Sequence, residues 1–214
     1  MNRDKREITS SVTHLTAAAF ALLGTVCLTV KAARCGGASR IASVLVFGIS
    51  MVGLYSISTV YHWIDAAKTR AKQTMQRVDH MAIFVLIAGT YTPICVLTLG
   101  GPVGYFLLAA VWGIALIGFF IKIFWMGAPQ WFSCGLYVAM GWLAVCDAAQ
   151  LFRNIPVGGA VWLIAGGIIY TVGAFIYGLE KPNLKISWFG SHELFHLFVI
   201  GGSVCHFVTV LCYV

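Results

Sequence analysis

The chain has 214 residues, of which 60% are hydrophobic and only 10% charged, and its formal net charge is +7. Soluble proteins carry about 25% charged residues, so this composition excludes a soluble domain and predicts a protein embedded in a membrane. Nucleic-acid binding would need a basic face with aromatic residues on a soluble domain, which the sequence lacks. We attribute the basic charge to membrane topology and to contact with anionic lipid headgroups.

Seven apolar segments follow one another along the chain, and each has about the 20 residues that a helix needs to cross a bilayer. The fold class predicted is all-α, a seven-transmembrane helix bundle that forms a single domain over residues 1–214. A charged N-terminal stretch, residues 1–7, is expected to be mobile, and Pro93 is expected to kink the third span. The predicted spans are about 11–30, 41–61, 79–99, 103–124, 131–151, 157–179 and 191–213.

Lysine and arginine are unevenly distributed between the two sides of this topology. Because cytoplasmic loops carry the excess of these residues, we expect the N-terminus to be cytoplasmic and the C-terminus to be outside. The richer side holds Arg3, Lys5, Arg6, Lys68, Arg70, Lys72, Arg77, Lys122, Lys181 and Lys185. The poorer side holds Lys31, Arg34, Arg40 and Arg153.

The last apolar segment begins with a pair of histidines, His192 and His196, at positions i and i+4. On a helix this spacing puts both imidazoles on one face, where they can share a metal ion. The predicted topology brings His62, at the end of the second span, and Asp79-His80, at the start of the third, to the same leaflet. Three neutral imidazoles that leave one position open form a known catalytic zinc arrangement, in which zinc lowers the pKa of its water to about 7.

Two further residues are candidates for catalysis beside such a metal. Asp79 can hydrogen-bond the water or act as the base, although an Asp at this point can also be a helix N-cap. Ser58 is four residues before His62, one turn deeper on the same face, which suits contact with substrate or support of a ligand. Its alternative role is a hydrogen bond back to its own helix.

Several motifs in order make the chain resemble the hemolysin III family, seven-helix bacterial membrane proteins similar to the progestin and adiponectin receptors, in a superfamily that includes the alkaline ceramidases. The motifs are Ser58-Thr59-Val60-Tyr61-His62, Asp79-His80, Ala88-Gly89-Thr90-Tyr91-Thr92-Pro93, His192-x-x-x-His196 and Gly201-Gly202-Ser203-x-x-His206, with a family-like stretch from Glu7 to His14. The resemblance implies a zinc ion bound by His62, His192 and His196, with Asp79 near its water and Ser58 close by. It also implies a bacterial inner (plasma) membrane location.

The remaining ionisable residues have other interpretations. His192-Glu193-x-x-His196 also spells the zinc-metalloprotease helix motif with Glu193 as base, but position i+1 points away from the histidine face. His206 is about 21 Å along the helix from His192, so we expect it, like His14, to make structural contacts between helices. His80 is expected to contact a headgroup or another helix, and Asp147 to lie at the membrane interface.

Three functional hypotheses follow from these residues and the resemblance. The first is a zinc-dependent hydrolase of a lipid amide or ester, ceramidase-like, acting in lipid homeostasis, with a membrane lipid such as a sphingolipid-like amide as substrate. The second is a non-enzymatic sensor or regulator of the membrane in which zinc only ties two spans together. The third is a pore-forming haemolysin, although the spans lack a charged stripe that could line a wide channel. The sequence specifies neither the substrate nor the oligomeric state.

Overall fold

A computed structural model of the protein describes residues 5–65, 67–125, 127–184 and 186–214. Nearly all of these residues are helical, and the described part contains no β-structure beyond one isolated bridge between Ile186 and Phe189. The helices are α1 (Lys5–Cys35), α2 (Ala38–Trp63), α3 (Thr69–Pro93), α4 (Gly101–Phe124), α5 (Gln130–Gly141), α6 (Ala148–Asn154), α7 (Val157–Leu179) and α8 (Ser191–Tyr213).

Within these residues seven helical segments are long and apolar enough to cross a membrane, which confirms the all-α, seven-helix prediction. The third of them is α3 with its continuation Ile94–Leu99, and the fifth is α5 and α6 with the 3-10 segment Leu143–Asp147 between them. The other spans are single helices. Apolar length therefore predicts the number of spans correctly.

Two helices begin well before the apolar segments that predict them. The structure makes α1 start at Lys5 and α3 start at Thr69, so the prediction of a mobile stretch is wrong for residues 5–7, and Lys72 and Arg77 lie on α3 rather than in a loop. The physical reason is that hydropathy marks only the part of a helix inside the hydrocarbon core, whereas the helix itself continues into the headgroup region. Arg3 and Lys185 lie outside the described residues.

The helices pack mainly against their neighbours in the chain, and α1 also packs against α8. One apolar cluster joins α1, α2, α3 and α8 around the fully buried Phe47, and a second joins α3 to α4, α5 and α6 around Phe84. This arrangement brings the end of α2 and the start of α8 together, although 130 residues separate His62 from His192 in sequence.

One tight turn and one change of helix type occur at glycine and proline residues. Gly100 and Gly101 both have φ of 58°, a left-handed conformation that glycine adopts without strain, and α4 begins there with Pro102 in its first turn. Helix α3 ends at Pro93 and continues as a π-helical segment over Ile94–Leu99. Such a change of helix type is a known consequence of proline inside a span.

Candidate metal centre

Three imidazoles converge at one end of the bundle. His62 is in the last turn of α2, and His192 and His196 are in the first two turns of α8. Their ring centroids are 5.0 Å apart for His62–His192, 5.0 Å for His62–His196 and 4.5 Å for His192–His196. One nitrogen from each ring lies within 4.8 Å of the other two, so the three side chains could hold a metal ion.

The spacing and the bonding of these nitrogens fit a zinc ion. His62 Nε2 lies 3.2 Å from His192 Nε2, and two nitrogens bound to a tetrahedral zinc at 2.0–2.1 Å are about 3.3 Å apart. His196 Nδ1 is buried without a hydrogen-bond partner among the described residues, and a buried polar atom in that state costs free energy unless something binds it. The donor set, three imidazoles, is one that zinc prefers.

A carboxylate from α1 orients the first histidine. His62 Nδ1 donates a hydrogen bond of 2.8 Å to Glu7 Oε2, so the neutral ring presents an unprotonated Nε2 to the cluster. The same oxygen accepts a 2.8 Å bond from Lys72 Nζ, which also donates to the carbonyl oxygen of Tyr61 at 3.0 Å. A carboxylate behind a histidine in this way fixes ring orientation and tautomer in metal sites.

Asp79 and Ser58 lie beside each other near the histidines, both buried. The Ser58 hydroxyl is in hydrogen-bonding contact with the Asp79 carboxyl group, and His62 and Lys72 are close enough to interact with that carboxyl electrostatically. Because α3 begins ten residues earlier than Asp79, the alternative in which Asp79 is the N-cap of this helix is wrong. Asp79 is instead an acid inside the bundle.

A cavity of about 350 Å³ opens beside this group of residues. Its wall contains Ser58 and Asp79 as well as His192 and His196, whereas His62 is not part of it. The rest of the wall is mostly apolar and comes mainly from α3, α5, α6, α7 and α8, with one further residue each from α1 and α2. A pocket of this size, apolar apart from a few convergent polar groups, is typical of a binding site for an apolar molecule.

Glu193 has a structural role in the described contacts. Its Oε2 accepts a 2.7 Å bond from the backbone N–H of Gly190, which caps α8, and its Oε1 accepts a 2.9 Å bond from Ser10 Oγ of α1. Both oxygens are thus engaged, and the residue does not line the cavity. This bonding argues against the metalloprotease interpretation of the His192-Glu193-x-x-His196 motif.

The other histidines take separate positions around the cavity. His14 stacks on His196 with a centroid distance of 3.7 Å, and His206 stacks on Tyr170 at 5.3 Å. These are contacts between helices, as expected, but both nitrogens of His14 lack a hydrogen-bond partner in the described part of the chain. His80 lines the cavity from α3, and Asp147 immediately precedes α6 without a capping bond from its side chain.

Glu7 and Lys72 are the site residues that the sequence reasoning missed. The signal was present in the polar residues of α1, since Glu7, Ser10, Ser11 and His14 recur at the spacing of one helical face. Ser10, Ser11 and His14 are almost completely buried. Treating residues 1–7 as a tail concealed that pattern.

Comparison with known proteins finds relatives along nearly the whole chain. The profile of a family described as "Haemolysin-III related" matches residues 2–207. Hemolysin-3 of Bacillus cereus is 39% identical over 210 residues, which cover 98% of this chain and 92% of that protein. The Hemolysin-3 homolog of Bacillus subtilis (strain 168) is 38% identical over 98% of this chain and 94% of its own. The ADIPOR-like receptor IZH2 of Saccharomyces cerevisiae is 22% identical over 70% of this chain and 52% of its own.

Proposed function

The chain is a multi-pass membrane protein of the haemolysin-III related family, as its motifs predicted, and from this premise we propose that it hydrolyses an amide bond of a membrane lipid. In this proposal His62, His192 and His196 hold a zinc ion at the cytoplasmic end of the bundle, in a bacterial plasma membrane. The observation that carries the proposal is the juxtaposition of three imidazoles with Asp79 and an apolar cavity.

The residues around the cluster have distinct roles in this reaction. A zinc ion with three histidine ligands supplies Lewis acidity and a water of lowered pKa. Asp79 accepts a proton from the attacking water as the C–O bond forms and then returns it to the leaving nitrogen as the C–N bond breaks, so that the products are an acid and an amine. Ser58 orients the Asp79 carboxylate, and Glu7 holds the His62 ring with its Nε2 lone pair directed at the cluster.

The cavity determines which substrates fit. Its wall is mostly apolar, and Ser58, Asp79, His192 and His196 are among the polar residues that line it. A lipid chain would pack against the apolar part of the wall and bring its amide or ester carbonyl to Asp79 and the histidines. Ceramide-like amides are therefore the first substrates to test.

The test measures metal content and lipid hydrolysis on the same detergent-purified samples. We expect about one zinc per wild-type chain, loss of zinc in His62→Ala and His196→Ala, and retention of zinc with loss of turnover in Asp79→Asn. His206→Ala is the matched control for zinc binding, because it removes a buried histidine of α8 that lies outside the cluster, and it should retain zinc. Since His206 lines the cavity, its turnover is not used as a control.

Each of the other possible results of this test would change the proposed function. Wild-type protein without zinc would refute the metal centre. Zinc without turnover on any lipid amide or ester would favour a structural tie between α2 and α8, as in a membrane sensor. Leakage of dye-loaded liposomes on addition of wild-type protein would instead favour the haemolytic activity that the names of the two Bacillus relatives carry.

A further inference from the structure

Lys122 is a buried cation outside the histidine cluster. It lies in the last turn of α4 and is only 2% exposed. Its Nζ donates a 2.5 Å hydrogen bond to Ser133 Oγ, near the start of α5. The ion pairs given by the described residues join Glu7 to His62 and to Lys72, and none of them includes Lys122, so no described carboxylate neutralises it. A buried charge without a counterion is costly and marks a functional site in a membrane protein.

Lys122 lines a second cavity of about 270 Å³, distinct from the apolar one. Its other described lining groups include Gln76, His80, Ser133 and Tyr137, and none of them is acidic. His80 Nδ1 is buried and has no hydrogen-bond partner in the described structure. The cavity thus combines a cation, hydroxyl groups, amide groups and an unused imidazole nitrogen.

The two cavities share part of their walls. His80, Tyr137 and Tyr177 line both the polar cavity and the apolar cavity. The polar cavity beside Lys122 therefore borders the apolar cavity. A lysine near the end of a span often extends its amine to the interface, but the burial of Lys122 shows that its amine is held inside the protein.

We propose that the polar cavity beside Lys122 binds a phosphate group, either the headgroup phosphate of an anionic phospholipid or free inorganic phosphate. Lysine is a common point-charge partner of phosphate, and hydrogen bonds between charged partners are the strong ones. Phosphate also presents several acceptor oxygens, which suits a cavity whose described lining includes lysine, hydroxyl and amide groups and no acidic group. The site requires neither zinc nor turnover, so its test is independent of the hydrolase proposal.

The first measurement is the thermal stability of purified protein in sodium phosphate and in sodium chloride of equal ionic strength. We expect phosphate to raise the Tm of the wild type and not that of Lys122→Met, whose apparent phosphate affinity should fall about tenfold to a hundredfold. Replacing a buried charge by an apolar side chain of similar volume is often neutral or stabilising, so this variant is expected to fold. Lys181→Met is the matched control, because Lys181 is exposed, and it should respond like the wild type.

The second measurement replaces the salts with vesicles or nanodiscs of phosphatidylglycerol or of phosphatidylcholine alone. Stabilisation that depends on Lys122 and appears with phosphatidylglycerol but not with inorganic phosphate identifies a lipid headgroup, whereas stabilisation by inorganic phosphate in detergent identifies the free anion. The proposal is overturned if neither source stabilises the wild type, or if both stabilise Lys122→Met equally well.

Discussion

The bond between Glu7 and His62 determines which nitrogen of this histidine is available to the cluster. Because a carboxylate only accepts hydrogen bonds, the 2.8 Å contact requires the proton to be on His62 Nδ1. In the neutral form of the ring, the Nε2 atom, 3.2 Å from His192 Nε2, then carries a lone pair. A residue of α1 thereby fixes which nitrogen of an α2 histidine faces the cluster.

We predict that Glu7→Gln weakens zinc binding about tenfold to a hundredfold, because the amide no longer fixes the tautomer of His62 as a carboxylate does. The measurement is a competitive zinc titration of the purified protein. Lys72→Gln is the matched control, since it removes the ion pair of Glu7 but leaves the Glu7–His62 bond in place, and its affinity should change less. Equal losses in both variants would contradict a specific role for the Glu7–His62 bond.

At the residue scale, the sequence was informative about which histidines come together and uninformative about the residues that contact them. The pairing of His192 and His196 was predictable from their spacing and that of His62 from the family-like motif, because both signals are short local patterns, and the structure brings the three together. Glu7 supports His62 across 55 positions of sequence. Such a contact depends on how α1 packs against α2, and no local pattern encodes that packing.

The fifth span shows how one element can be broken without a proline inside it. Helix α5 ends at Gly141, and a 3-10 segment precedes α6. Tyr91 of α3 bridges this break, because its hydroxyl donates a 2.6 Å bond to the Gly141 carbonyl and accepts a 3.0 Å bond from the Ala144 N–H. Backbone groups freed inside a membrane need such partners.

We predict that Tyr91→Phe destabilises the protein by about 1–3 kcal/mol, because it leaves a carbonyl and an N–H without their side-chain partner. The measurement is the midpoint of unfolding in mixed detergent. Tyr137→Phe is the comparison, since the Tyr137 hydroxyl donates to the carbonyl of His80, which lies inside α3, and its loss should be smaller. If the two variants are equally stable, Tyr91 does not hold the break.

The interruption of the fifth span could not be predicted from the sequence, although the span itself could. The residues of the break remain apolar, and a continuous helix gives the same hydropathy signal as a broken one. By contrast, the turn at Gly100-Gly101 was predictable, because glycine pairs adopt left-handed conformations that other residues rarely do. Apolar length thus predicts spans, whereas irregularity within a span depends on a partner from another helix.

In the molecule as a whole, the basic residues at the two ends of the bundle make different contacts. At the end away from the histidines, Lys31 donates to the carbonyl of Leu211 and Arg40 to that of Val214, at the end of α8. Cations at a helix C-terminus interact favourably with its free carbonyls. Two of the four cations on the poorer side therefore have a structural role. The asymmetry of Lys and Arg between the two ends favours a cytoplasmic location of the histidine end.

From this asymmetry we predict that the histidine cluster faces the cytoplasm. The measurement uses chains with a single cysteine, either the native Cys35, which is exposed at the end of α1, or Lys68→Cys in the connection between α2 and α3. A membrane-impermeant maleimide should label Cys35 in intact cells and should label the Lys68→Cys chain only after the cells are permeabilised. The background control is a chain in which Cys35 is also replaced by Ser, so that no cysteine remains. The reverse labelling pattern would put the cluster at the outer leaflet, because His62 lies in the last turn of α2, at the same end of the bundle as Lys68.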